Sequence, residues 1–338
     1  MNIQQNVSLK PYNTFGIDVK AKEFVVVNTM EELCILCAAF NLSDRKLLVL
    51  GGGSNVLLTS DFDGMVIKNN LKGITIEQED EDHVWVKSMA GEVWHDFVLY
   101  CIDHHLAGIE NLSLIPGCVG AAPMQNIGAY GVEIKDTFFA LQAVEITSGE
   151  VVTFLNSDCK FGYRESVFKQ EAKGKYIIAS VTFRLDKKPK FNVTYGAIQQ
   201  TLAKKGVQEL SIKAISDAVI EIRTSKLPDP KVLGNAGSFF KNPEIENEKF
   251  NALKQQFPEL VGYPVGSNHT KLAAGWLIEQ CGWKGKVVGN TGSHKDQALV
   301  LVNYGNASGH EIWQLAMDIQ KSVYDKFGVH IQPEVNVI

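Results

Sequence analysis

The sequence predicts an α+β protein built from more than one domain, and three observations lead there. Its 338 residues exceed what a single hydrophobic core usually supports. Between Gly64 and Leu185 short runs that alternate or are wholly apolar dominate, which is the pattern of strands. Beyond Arg223 the apolar residues fall mostly at helical spacing, with one strong strand, QALVLV, among them. A β-rich stretch followed by a helix-rich one reads as α+β.

Taken in order, residues 1–60 read as a small α/β lobe. A strand lies near Phe24–Val27, a helix over Thr29–Phe40, and the apolar run KLLVL (Lys46–Leu50) forms a buried strand that empties into a glycine turn. The β-rich stretch opens with Met65–Lys68, Ile74–Glu77 and Val84–Met89. A helix over Glu92–His105 follows, apolar at Val93, Phe97, Tyr100 and Cys101. Its terminal His104-His105 pair diverges on a helix surface and cannot easily share one metal ion. Strands recur at Ala143–Ile146, Val151–Phe154 and Tyr176–Leu185. A helix begun near Ile215 is stopped by the prolines of SKLPDP. Further helices are expected over Glu248–Phe257, Lys271–Cys281 and Gly309–Phe327, the last two closed by Gly282 and Gly328. The tail Val329–Ile338 is again strand-like.

Composition excludes several partners. A hydrophobic fraction of 45% and a charged fraction of 21% describe an ordinary globular chain. A net charge of −5 with no basic block argues against nucleic acid or an anionic membrane as partner. The opening MNIQQNVSLK lacks the apolar region of a secretory signal, and no uninterrupted apolar segment could span a bilayer, so a cytoplasmic protein is expected. Six cysteines are few for this length and should stay reduced there. Cys34 and Cys37 form a C-x-x-C inside a helical pattern, with no second pair or histidine cluster to complete a zinc site. They read as helix-core residues, and no metal is expected.

Two loops stand out. Leu114–Gly131, LIPGCVGAAPMQNIGAYG, holds four glycines, two prolines and no charged side chain. That composition forbids a long helix or strand and exposes backbone N–H groups, which form concavities that suit phosphates. A tightly packed apolar connector would use the same residues, so the loop alone leaves both readings open. The second loop, Gly51-Gly52-Gly53-Ser54-Asn55, follows the KLLVL strand. It is not a dinucleotide fingerprint, because Val56 stands where the third glycine belongs, and no Gly-Lys-Ser/Thr makes it a P-loop. The apolar Val56-Leu57-Leu58 suggests another strand after it, so no helix dipole is on offer. Two such loops can converge on one dinucleotide.

These loops, with NTFG (Asn13–Gly16), FGYRES (Phe161–Ser166), GNAGSFFKNP (Gly234–Pro243) and the terminal PEV, stand in an order and spacing that resemble the UDP-N-acetylenolpyruvoylglucosamine reductase family, flavoenzymes of peptidoglycan synthesis. The resemblance runs from Asn13 nearly to the last residue. It implies a two-lobed FAD-binding module of the vanillyl-alcohol-oxidase/PCMH type plus a C-terminal α+β substrate-binding domain. The divisions it suggests are residues 1–60 and 61–222 for the flavin lobes, 223–328 for substrate, and 329–338 as a strand returning to the active site. It implies non-covalent FAD, NADPH as co-substrate, a UDP-N-acetylglucosamine enolpyruvyl ether as substrate, and a monomer.

In that family hydride passes from reduced flavin N5 to the enolpyruvyl methylene, negative charge builds at the neighbouring carbon and carboxylate, and a positioned acid supplies the proton. Ser238 matches the proton donor, although a serine in this context is otherwise a turn or capping residue. Arg164 matches the carboxylate-polarising arginine; its planar fork suits a carboxylate and keeps its charge in a dry pocket. Glu334 matches a glutamate that stabilises the enolate, which requires it to be protonated or paired with a cation. For FAD the resemblance points to Gly51, Gly52, Gly53, Ser54 and Asn55, and to Pro116, Gly117, Gly120, Ala121, Gln125, Asn126, Gly128, Tyr130 and Gly131. For the UDP portion it points to Tyr195, Lys226, Asn242 and Gln297, with Tyr195 marking the subtype whose tyrosine-bearing loop covers the substrate and is expected to move. Asn336 stands where an arginine often follows PEV. Two other classes compete. A nicotinamide-dependent dehydrogenase is disfavoured by the broken fingerprint. A non-catalytic nucleotide-sugar binder would not need Arg164, Ser238 and Glu334 together.

Overall fold

The computed structural model describes residues 1–40 and 42–338. The chain divides into two units, each discontinuous in sequence. One comprises Met1–Val7, Ala21–Gly52 and Asp63–Ser225; the other comprises Ser8–Lys20, Gly53–Phe62 and Lys226–Ile338.

The first unit is organised on two sheets. In one, the strand order is Gln4–Ser8, Lys20–Val27, Phe62–Asn69, Leu47–Leu50, and the last two run parallel with Leu50 opposite Lys68. The helix Met30–Ala39 starts where the Thr29 side chain accepts the Glu32 N–H at 3.1 Å. It buries Leu33, Leu36 and Cys37 against Val25, Val27, Met65 and Ile67. Burial pushes the Cys37 thiol up to about 12, and Cys34 is half-buried on the same helix, so this C-x-x-C packs as core.

The other sheet is antiparallel throughout, in the order Val151–Leu155, Phe138–Glu145, Tyr176–Asp186, His83–Met89, Ile74–Glu79. The helix Trp94–Asp103 lays Trp94 and Phe97 on Phe183 of its long third strand, with ring centroids 5.7 and 5.2 Å apart. Two further helices, Gly196–Lys204 and Ile212–Lys226, share a small core of Ile198, Leu202, Ile215, Val219 and Ile222, against which Tyr130 packs.

In the second unit Gly234–Ser238, Val300–Asn303, Thr291–Ser293 and Val287–Val288 form one sheet, and Glu244–Glu246, His269–Leu272 and Gly262–Val265 another. The helix Gly309–Phe327 matches the sequence expectation because both ends are specified. Ser308 and Glu311 form a reciprocal capping box, and Gly328 closes the helix at φ +62°. The expected helix over Lys271–Cys281 is shorter, Ala274–Gln280, because His269–Leu272 is taken between two strands. The tail pairs in parallel with Val56–Leu57 through Asn336–Val337. Among the described residues no helix is long and apolar enough to cross a membrane.

Candidate active site

The two glycine loops meet in the first unit. A methyl group on Gly52 would stand 3.0 Å from the Gly117 Cα, and one on Gly51 would stand 3.1 Å from the Cys118 Cβ. Glycine at these positions lets the two backbones approach this closely without displacing each other. The central loop is tied down from behind by Trp94 N–H to Gly117 O at 3.0 Å, Val119 N–H to Glu92 O at 2.9 Å and Gly120 N–H to Ala90 O at 2.9 Å. Gly120 lies so close to Ala90 that a Cβ would fall 2.5 Å from the alanine methyl. Its middle, Val119–Gln125, winds as a 3₁₀ helix that includes Ala121, Pro123 and Gln125, and no long α-helix or strand forms in the loop. Asn126 then turns the chain at φ +45°. Its buried amide donates to Glu133 Oε2 at 2.9 Å and Gly162 O at 3.0 Å and accepts the Lys135 N–H at 3.1 Å, so the side chain holds the loop's own shape. Pro116, Ala121 and Gly131 are exposed on this loop. A glycine-lined concavity with little side-chain bulk is what a dinucleotide phosphate needs, and the residues present fit FAD.

FGYRES is held to the same loop. Gly162 and Glu165 pair through their backbones, Arg164 turns the chain at φ +54°, and its guanidinium donates to Gly128 O at 3.0 Å. Ser166 Oγ donates to Met124 O at 2.7 Å. Leu114 and Tyr130 also adopt positive φ, +57° and +51°. Left-handed backbone at non-glycine residues costs about 1–3 kcal/mol each and tends to gather at functional sites. Here an arginine that sequence reasoning passed over sustains two of them. Arg223 Nε donates to Leu114 O at 3.1 Å, and its positive charge lies close to the Tyr130 phenol. Burial pushes the Tyr130 phenol up, so it stays neutral. The Tyr195 ring, 49% exposed, meets Tyr130 edge-on with centroids 5.2 Å apart at 82°. Asn192, three residues earlier, donates to Gly131 O at 3.1 Å and its carbonyl accepts from Asn111 at 2.9 Å.

The second unit brings together Ser238, Glu334 and Asn55. The strand Gly234–Ser238 carries a register shift before Ser238, where Gly237 takes φ +70° with its N–H on Asn235 Oδ1 at 2.9 Å. Beyond it Glu334 N–H donates to Phe239 O at 2.8 Å and Lys241 N–H to Gln332 O at 2.8 Å, so Ser238 and Glu334 lie on adjoining segments. Both are half-buried. Asn55 Nδ2 reaches Glu334 O at 3.3 Å. Gly53, at φ +60°, presses against residues Tyr12 and Asn13, ahead of half-buried Ser54. Asn242 and Gln297 converge on the start of the helix Ala274–Gln280: Asn242 Oδ1 accepts the Ala274 N–H at 3.0 Å, and a Cβ on Gly275 would lie 3.2 Å from Gln297 Oε1. Lys226 is exposed at the end of its helix. Arg223 and Lys68, whose ammonium donates to Gly51 O at 2.8 Å, have no sequence motif of their own that marks them.

Residues 21–155 match the family model of an FAD binding domain, which includes both glycine loops. Residues 229–338 match that of the UDP-N-acetylenolpyruvoylglucosamine reductase C-terminal domain, which includes Ser238, Asn242, Gln297 and Glu334. A UDP-N-acetylenolpyruvoylglucosamine reductase of Flavobacterium johnsoniae is 55% identical over 100% of both chains, and that of Amoebophilus asiaticus is 50% identical over 100% of both. The crystal structure of the same reductase from Thermus caldophilus superposes with a TM-score of 0.70 over 100% of this chain and 99% of that one, at 24% identity. The fold is thus α+β, an FAD-binding domain followed by the reductase C-terminal domain, and the cofactor is FAD. The chain belongs to the UDP-N-acetylenolpyruvoylglucosamine reductase family.

Proposed function

We propose that this protein reduces the enolpyruvyl ether of UDP-N-acetylglucosamine to UDP-N-acetylmuramate, with NADPH as co-substrate, in the supply of peptidoglycan precursors. What supports the reading is 55% identity to such a reductase over the full length of both chains, together with the backbone pairing of Glu334 with Phe239 that puts residues 334 and 238 on adjoining segments. Bound FAD supplies hydride transfer, chemistry that no side chain here can perform.

The chain's own residues supply aim, charge and a proton. Addition of hydride to the methylene of an α,β-unsaturated carboxylate moves negative charge onto the adjacent carbon and the carboxylate. Arg164 provides the planar cation that suits that carboxylate, its guanidinium steadied by Gly128 O at 3.0 Å. Ser238 Oγ delivers the proton, from a bulged strand end that Gly237 aims. Glu334 stabilises the enolate from the neighbouring segment. Gly51–Asn55 and the loop Pro116–Gly131 hold FAD, non-covalently. Tyr195, Lys226, Asn242 and Gln297 bind the UDP portion, and the Tyr195 loop opens and closes between the two substrates. We further propose a cytoplasmic monomer with no nucleic-acid or membrane partner, divided functionally at residues 60, 222 and 328, with 329–338 returning to the active site.

The test is anaerobic mixing. NADPH should bleach the flavin absorbance of the purified protein, and the enolpyruvyl sugar nucleotide should restore it. Bleaching without restoration by that substrate would refute the assignment.

A further inference from the structure

We infer that Lys68 supplies the positive charge for the FAD diphosphate that the two neutral glycine loops lack. The inference rests on the assignment of those loops to FAD. Neither Gly51–Asn55 nor Leu114–Gly131 contains a charged side chain, and backbone N–H groups offer only partial charges to a group that carries full ones. The structure brings in a cation from elsewhere in the chain. Lys68 lies near the end of the strand Phe62–Asn69, and its parallel register with Leu50 places it at the mouth of the Gly51 turn.

Three features set this lysine apart from a solvated one. Its ammonium donates to Gly51 O at 2.8 Å, while a Cβ on Gly51 would stand 3.1 Å from the Cys118 Cβ and one on Gly52 would stand 3.0 Å from the Gly117 Cα. The one peptide that joins strand to turn is therefore held by Lys68 where the central loop packs closest against it. Second, Lys68 is half-buried, and loss of water is the largest influence on its ammonium, drawing its pKa below the usual lysine value. A partly buried ammonium without a counter-charge is unfavourable unless an anion arrives. Third, the groups near it do not neutralise it. Burial pushes the Cys118 thiol up, which leaves it uncharged, and neighbouring Lys72 adds repulsion while Glu92 is occupied with Lys72 at 3.4 Å and with the Gly73 N–H at 2.7 Å. Among the described residues no carboxylate forms an ion pair with Lys68. A diphosphate in the cradle would complete the charge balance that the polypeptide leaves open, and an ammonium is a well-suited phosphate partner.

The experiment follows FAD release from the full-length holoprotein by the recovery of flavin fluorescence on dilution, across a potassium chloride series. Lys68→Met and Lys68→Gln should each weaken FAD binding about ten- to a hundredfold, as expected for a hydrogen bond to a charged group. Both should also flatten the salt dependence, because the screened charge is gone. Lys68→Arg should stay within about threefold of the wild type and keep its salt slope. Wild-type affinity in Lys68→Gln, or a loss of affinity with an unchanged salt slope that arginine does not rescue, would overturn the inference and leave Lys68 a packing residue. Gly52→Ala serves as the separate control. If that variant keeps FAD, the loop assignment itself fails; if it releases FAD and the lysine variants do not, only the role of Lys68 fails.

Discussion

The backbone N–H of Glu334 donates to the carbonyl oxygen of Phe239 across 2.8 Å. With the bridge between Phe240 and Pro333, this bond joins two segments nearly a hundred residues apart and makes neighbours of Ser238 and Glu334. If Ser238 gives the proton and Glu334 steadies the resulting charge, as proposed, the two must keep a fixed separation, and this backbone pairing ties their segments together.

If Ser238 delivers the proton, its loss must slow one half of the cycle only. Ser238→Ala should bleach with NADPH at the wild-type rate and reoxidise with the enolpyruvyl substrate roughly 10²–10⁴-fold more slowly, the usual range for a missing general acid. Rapid-mixing absorbance under anaerobic conditions measures both halves separately. Equal slowing of the two would remove the serine from the proton-transfer role.

Gly53 carries a different load. Its φ is +60°, and a Cβ there would come within 2.0 Å of Tyr12 O and 2.9 Å of the Asn13 Cα. Gly53→Ala therefore combines left-handed strain with a clash against backbone that cannot move aside. We expect a loss of roughly 2–5 kcal/mol, seen as a lower urea midpoint at an unchanged slope. A midpoint within error of wild type would mean that the NTFG turn yields easily.

Tyr195 meets Tyr130 edge to face, and Tyr130 in turn packs against the core of Ile198, Leu202, Ile215, Val219 and Ile222. An edge-to-face aromatic contact contributes about 0.5–1.5 kcal/mol beyond its buried area. Tyr195→Ala should accordingly raise KM for the sugar nucleotide by about tenfold while reduction by NADPH is unaffected, and Tyr195→Phe should keep most of the affinity. Steady-state kinetics on both variants decides it, since a matched loss in both would point to the hydroxyl instead of the ring.

The glycine loops, their convergence and the capped final helix were legible in the sequence because local chemistry specifies them. Pro116, Pro123 and the spaced glycines leave few conformations, and Ser308 with Glu311 and Gly328 marks both helix ends. The strand His269–Leu272 was not legible, because its pairing partners lie more than twenty residues upstream and a few residues before it, and tertiary pairing overrode a helical pattern. The first strand, Gln4–Ser8, was missed for a related reason: QQNVS has almost no apolar alternation, and the edge of a sheet asks for none. Ser238, Arg164 and Glu334 came through motif resemblance alone. Nothing in IEIRTSK distinguished Arg223 from a surface arginine, and nothing in MVIKNN marked Lys68, because what singles out each is the carbonyl it meets in another segment.

One of those segments also contains a titratable joint. His95 Nδ1 accepts the Leu114 N–H at 3.0 Å, at the residue whose left-handed backbone opens the central loop. Only a neutral imidazole can accept there. Burial, the largest influence, draws the His95 pKa below 6.5; the Arg223 charge acts the same way and Asp96 opposes them. The folded state therefore binds a proton less readily than the unfolded chain. Stability from this group is fully present above the ordinary histidine value of 6.5 and is lost as pH falls from there through the folded-state value. Thermal unfolding should show Tm declining as pH falls below 6.5, and His95→Gln, whose amide oxygen can still accept the Leu114 N–H, should show a shallower decline over the same range. Parallel curves for the two proteins would assign the acid sensitivity to another group, with His294, also held low by burial, the next to replace.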